Sequence, residues 1–223
     1  MKRRLVTLSV VACAIALASC RTEYRAYGER PVTSDNAPVE SLDGRRVFFR
    51  VERAFYRDPP QCVIVLPAPD DHATSAATAR IESAVARHLR DKVPRVIGPL
   101  RRDRAARRLA LDLNHAGDRR RFARLEKCDA FLRWRMIGSS SDYFLVWSRR
   151  DVGLDVEMFR EPGRTLWKAA HVAHRSDGGL PLSPLSAPFD IYKASRFSKD
   201  QDILPSMIDD IMRRLVVSLP DVR

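Results

Sequence analysis

The sequence predicts an α/β fold: a mixed sheet with a parallel βαβαβ first half, an antiparallel meander after it, and a C-terminal helix. Three features predict it. Cys62 to Pro67, C-V-I-V-L-P, is a short continuous apolar run, the pattern of a strand buried on both faces. Ala77, Ile81, Ala84, Val85 and Leu89 then recur at helical spacing up to Pro94. Beyond Gly138 the pattern changes to strand-like runs joined by short turns.

Taken in order, Leu5 to Ala18 is apolar apart from Thr7, Ser9 and Cys13, and it follows Lys2, Arg3 and Arg4. A bilayer span needs about 20 apolar residues, so this run is too short for one and fits a cleaved export signal over residues 1–19. Residues 20–44 hold Gly28, Pro31, Pro38 and Gly44 among polar groups and read as a flexible tether. The remainder, 45–223, suits a single α/β domain.

Within that domain, Val47, Phe48, Phe49, Val51, Ala54 and Phe55 form an apolar patch, read as an edge strand or a segment packed on the body. The buried strand at Cys62 is followed by Asp70, Asp71 and Thr74 as helix-start residues. Arg95 to Ile97 is a second strand, stopped by Gly98 and Pro99, and Arg101 to Leu113 a basic helix. Asp118 is placed to cap a further turn or two through Phe122 and Leu125. Phe131 to Ile137 is the third strand of the parallel unit. The meander is expected as Tyr143–Trp147, Val152–Phe159 and Thr165–Val172, with turns at Arg149-Arg150-Asp151 and at Glu161-Pro162-Gly163-Arg164. Leu154, Val156 and Met158 alternate with Asp155 and Glu157, which predicts one solvated face. Residues 175 to 190, with two glycines and four prolines, read as a long loop. Leu204, Ile208, Ile211 and Leu215 make the stripe of a closing helix, with Asp202 as its cap, Pro205 in its first turn and Pro220 beyond its end.

The export signal ends in Leu17, Ala18, Ser19 and Cys20, which resembles the lipobox of bacterial lipoproteins. The resemblance implies cleavage before Cys20, lipidation of its thiol, and acylation of its new amine. Two or more acyl chains anchor a protein stably to a membrane. Arg21 follows, where an Asp would imply retention at the inner membrane, so the expected location is the outer membrane, facing the periplasm. Removing Lys2, Arg3 and Arg4 lowers the net charge of +12 to +9. A basic exported protein meets anionic lipids, envelope polymers and acidic proteins. No nucleic-acid-binding module is recognisable, and nucleic acid is not expected as a partner.

Cysteine arithmetic follows from the same reading. Cys13 leaves with the signal and Cys20 carries lipid, so Cys62 and Cys128 remain in a compartment that permits disulfides. Each begins a predicted strand. If those strands are parallel neighbours, the two residues lie about 5 Å apart and a bridge is expected between them.

The order of motifs also resembles a group of bacterial outer-membrane lipoproteins that share an α/β domain like the amino-terminal domain of the translocation protein TolB. The group includes the curli-secretion channel subunit and the lipoprotein activators of peptidoglycan synthases. The resemblance rests on the lipobox, the V-I-V-L-P strand feeding a helix, C-D-A-F-L-R-W at Cys128 to Trp134, G-R-T-L-W-K-A at Gly163 to Ala169, and a closing helix ending in L-P. It implies a non-enzymatic protein that binds other envelope components. The alternative is a subunit of an oligomeric secretion or transport assembly, so a homo-oligomer is left open. Asp155, Glu157 and the Arg149-Arg150-Asp151 turn argue against a membrane pore, whose strands need an outward apolar band.

No catalytic, metal or cofactor constellation is expected. Ser139, Ser140 and Ser141 read as a turn, and Asp70 and Asp71 as helix capping rather than an acid–base or cation-binding pair. His171 and His174 sit three apart on a strand and so on opposite faces, which is wrong for a shared metal. Trp134, Trp147 and Trp167 are expected in the core. The candidate contact with an anionic partner is the helix face of Arg101, Arg104 and Arg108, because guanidinium forks suit carboxylates and phosphates.

Overall fold

The computed structural model describes residues 22–27, 45–68, 75–137, 140–144, 147–178 and 203–222. Cys20, Asp70, Asp71, Thr74, Ser139 and Asp202 lie outside the described residues.

The strands are β1 (Glu23–Ala26), β2 (Arg46–Val51), β3 (Cys62–Val65), β4 (Arg95–Ile97), β5 (Ala130–Met136), β6 (Ser140–Phe144), β7 (Trp147–Arg160) and β8 (Arg164–Gly178). They form one sheet in the order β1-β2-β8-β7-β5-β3-β4, with β6 added to the free stretch of β7. The helices are α1 (Arg53–Arg57), α2 (Ser75–Leu89), α3 (Pro99–Leu109), α4 (Ala116–Glu126) and α5 (Ile203–Val217). β3 pairs in parallel with β4 on one side and β5 on the other. From β5 through β7 and β8 to β2 the pairing is antiparallel. The predicted mixed sheet is therefore present, and the closing helix with it.

Period-two alternation decides which face each side chain serves. Val63 and Val65 of β3, Leu132 and Trp134 of β5, and Leu154, Val156 and Met158 of β7 point to the face covered by α2 and α5. Helix α5 buries Met207, Ile208, Ile211, Met212 and Leu215 there, as its stripe predicts. Cys62, Ile64 and Leu66 point the other way, under Ala105 of α3 and Phe122 of α4. β3 is thus buried on both faces, which explains its unbroken apolar sequence.

The disulfide joins Cys62 and Cys128 with their Cα atoms 5.2 Å apart. It lies beneath the α3–α4 layer, where β3 and β5 run side by side.

Six boundaries differ from the sequence reading. Glu23–Ala26, inside the expected tether, is an edge strand paired in parallel with β2. The basic helix begins at Pro99 and stops at Ala110, whose backbone turns left-handed and caps the helix. Asp118 lies inside the first turn of α4, and its carboxylate accepts the backbone N–H of Asp112 at 2.9 Å. The run Tyr143–Trp147 is not one strand, because Phe144 ends β6 and pairs antiparallel with Trp147, which begins β7. Arg149-Arg150-Asp151 is no turn: β7 continues through it, paired with β6 and β8 on its two sides. Nothing in that triplet demands a bend, since it contains neither Gly nor Pro. The β7–β8 hairpin does turn at Glu161–Gly163, where Gly163 takes the positive φ of 89° that glycine adopts freely. β8 runs on to Gly178, into the expected loop.

Gly153 marks a close approach. A Cβ there would fall 2.4 Å from the carbonyl oxygen of Ile137, where the end of β5 crosses β7. Backbone cannot yield as a side chain does, so only glycine fits.

Candidate functional site

The face opposite α5 divides into two regions. Helices α3 and α4 cover β3, β4 and part of β5. The rest of that face, on β5, β7 and β8, carries polar side chains.

The covering helices hold half of the net charge. Residues 99–127 contain ten Lys and Arg against four Asp and Glu, a net +6 within a chain that carries +12. Arg104 and Arg108 of the expected face are exposed and have no ion pair among the described residues. Arg107, Arg120, Arg121 and Arg124 share that condition. Arg101 does not belong with them, because its Nη2 lies 2.8 Å from a Glu126 carboxylate oxygen. Leu100 and Leu125, 85% and 54% exposed, stand among these arginines.

Arg102 is the residue that sequence reasoning missed. Only 3% exposed, it donates to the Val65 carbonyl at 2.9 Å and to Glu82 of α2 at 2.7 Å. Glu82 in turn accepts the Ala68 N–H at 3.1 Å. Burial pushes the Glu82 carboxyl up, with the Arg102 guanidinium acting against that shift. This pair fastens both helices that flank β3 to the strand's carboxyl end. The signal was present in the sequence: Arg102, Ala105 and Leu109 share one side of α3 at helical spacing.

Beside the α3–α4 layer, a cleft of about 490 Å³ opens over the polar part of the sheet. Leu66 and Pro67 leave β3 at one wall, and Leu113 and Asn114 precede α4 at another. Its floor is a charged ladder. Arg133 of β5, Glu157 of β7 and Lys168 of β8 lie directly across from one another in register. Glu157 accepts from Arg133 Nε at 2.8 Å and from Thr165 Oγ1 at 2.6 Å, and lies 3.1 Å from Lys168 Nζ. Burial would raise its pKa, yet these hydrogen bonds from Thr165, Arg133 and Lys168 prevail and hold the carboxyl below its usual value. The next rung pairs Asp155 with Arg135 at 3.2 Å and with the Tyr27 hydroxyl at 2.9 Å. The solvated face predicted from the Asp155 and Glu157 alternation is this one, although both carboxylates are under a tenth exposed. Their cationic partners cover them.

The remaining candidates separate as expected. His171 lies on the α5 side with Nδ1 2.8 Å from the Arg46 carbonyl oxygen, while His174 pairs with Asp151 at 2.5 Å. Trp134 and Trp167 are buried, and Trp167 Nε1 donates to Ser218 at 3.2 Å. Ser140 and Ser141, read from the sequence as a turn, instead open strand β6, where they pair with Asp151 and Arg150 of β7. No group of three metal-ligating side chains occurs among the described residues, and no described helix is long and apolar enough to cross a membrane.

No protein family and no curated protein matches the chain. Solved structures do resemble it. The chain is similar to PelC of Paraburkholderia phytofirmans, a dodecamer, at 17% identity and a TM-score of 0.39, covering 76% of this chain and 97% of that one. It is also similar to lipoprotein GNA1162 of Neisseria meningitidis, at 13% identity and a TM-score of 0.41, covering 63% of this chain and all of that one.

Proposed function

We propose that this chain is a lipid-anchored envelope protein that performs no chemistry and binds other envelope components through the outer surface of α3 and α4. Cys20 supplies the anchor at the outer membrane, and the folded body faces the periplasm. The observation that carries the reading is the concentration of exposed, unpaired arginines on α3 and α4, among the described residues. Such a surface attracts acidic proteins and anionic polymers, speeds their encounter, and loses strength as salt rises.

The test is photo-crosslinking in the native envelope from positions 104 and 108, with captured proteins identified. Capture of envelope proteins that Arg104→Glu and Arg108→Glu abolish supports the reading. Capture that these variants leave unchanged, or no capture, sinks it. Self-crosslinks in a regular ladder would make the chain a subunit of an oligomeric assembly instead. Loss of palmitate incorporation in Cys20→Ala checks the anchor separately.

A further inference from the structure

We infer that the cleft between the α3–α4 layer and the open sheet binds an acidic sugar, with the ligand's carboxylate held between Arg133 and Lys168. This goes beyond the reading for α3 and α4, since it concerns another surface and a different class of ligand.

The floor of the cleft is built for an oxyanion. Glu157 carries one negative charge and holds two cations, so the trio keeps one positive charge uncompensated. Thr165 fixes the buried carboxylate from below. The Arg133 side chain is 59% exposed and that of Lys168 34%, so both retain donors on the cleft side. Arg133 and Lys168 stand two strands apart, about 9.5 Å between backbones, which brings two long side chains to one bound group. Their own carboxylate preorganises them, so less side-chain freedom is lost on binding.

The walls select what carries that oxyanion. Pro67 offers an apolar ledge against which the C–H face of a sugar ring can lie, with Leu66 and Leu113 buried behind it. Asn114 supplies both a donor and an acceptor suited to ring hydroxyls. The volume falls within the range of small-ligand sites. Position adds an independent argument. The chain leaves β3 toward β4 on one side and leaves β5 toward β7 on the other, and the cleft lies at these strands' carboxyl ends. Open α/β sheets bind ligands at such divergence points.

The experiment uses the anchored protein purified in detergent and measures calorimetric binding of tetragalacturonate, maltotetraose and inorganic phosphate. Tetragalacturonate should bind, more weakly as salt rises, and maltotetraose should not. Arg133→Gln and Lys168→Met should each weaken binding about tenfold, with melting curves confirming that each variant is folded. Arg104→Gln with Arg108→Gln should leave it unchanged. Equal binding of the neutral tetramer, absent binding of the acidic one, or phosphate binding as tightly as the sugar would overturn the inference. So would a loss seen only in the Arg104 and Arg108 variant. Envelope capture from positions 104 and 108 would survive any of these results, so the two readings fail separately.

Discussion

The two halves of this sheet use charge in opposite ways. Where α3 and α4 cover β3, an arginine and a glutamate are sealed inside and tie helices to a strand end. Where no described helix covers that face of β7 and β8, arginines and a lysine lie outward over buried carboxylates. The covered half gains rigidity from its charges, and breaking a pair there strands an ion in a dry place. The open half keeps its cations in partial contact with water, where screening weakens each pair but leaves the surface available to a ligand.

That contrast predicts unequal costs. Arg102→Ala should destabilise the fold by about 3–5 kcal/mol, because Glu82 is left buried without its partner. Replacing both, as Arg102→Met with Glu82→Leu, should recover most of the loss in urea unfolding. If the single and double variants are equally unstable, the pair matters by packing and its charge is incidental. The disulfide, also in the covered half, comes next. It closes a step of 66 residues, and the chain-entropy model gives about 4 kcal/mol for it. Unfolding of Cys62→Ala with Cys128→Ala against the oxidised protein measures this directly.

The covered half was also the more legible. An unbroken apolar run at β3, helical spacing through Leu89 and a strand at Phe131 each carry a local signature, and their order fixes the parallel unit. The disulfide followed from the placement of two cysteines at neighbouring strand starts. The open half hid more. β7 passes through Arg149-Arg150-Asp151 because its partners on both sides hold it, a tertiary cause invisible in local composition. β1 is a strand only because β2 offers an edge to pair with. The cleft assembles residues from before α4, from β5, β7 and β8, and from Tyr27, so no short window of sequence could announce it.

A smaller effect arises where α5 covers the opposite face. His171 is 2% exposed, and its Nε2 has no hydrogen-bond partner among the described residues. Burial lowers its pKa from 6.5 to about 4, with the Arg46 carbonyl opposing the shift and Arg214 adding to it. Below pH 6.5 the unfolded chain takes up a proton that the folded one refuses until about pH 4. The stabilisation is therefore complete above that window and lost as pH falls through it, with about 2 kcal/mol gone between pH 8 and pH 5. In His171→Asn, whose amide can still donate to Arg46, that slope should flatten in urea titrations at the two pH values.

The smallest effect belongs to the ladder itself. Glu157→Gln keeps the shape and the Thr165 bond but removes the charge facing Arg133 and Lys168. Because the Arg133 side chain is 59% exposed, solvent screens much of the interaction, and the loss should be about 1 kcal/mol. The sign with pH follows from the lowered pKa. The contribution is present above the usual carboxylate range and fades as pH falls through it, so variant and parent should converge in acid. A loss as large as that of Arg102→Ala would mean that the ladder is as sealed as the Arg102–Glu82 pair. Its cations would then be structural pins, the contrast between the two halves would collapse, and the cleft would have no charge to offer a ligand.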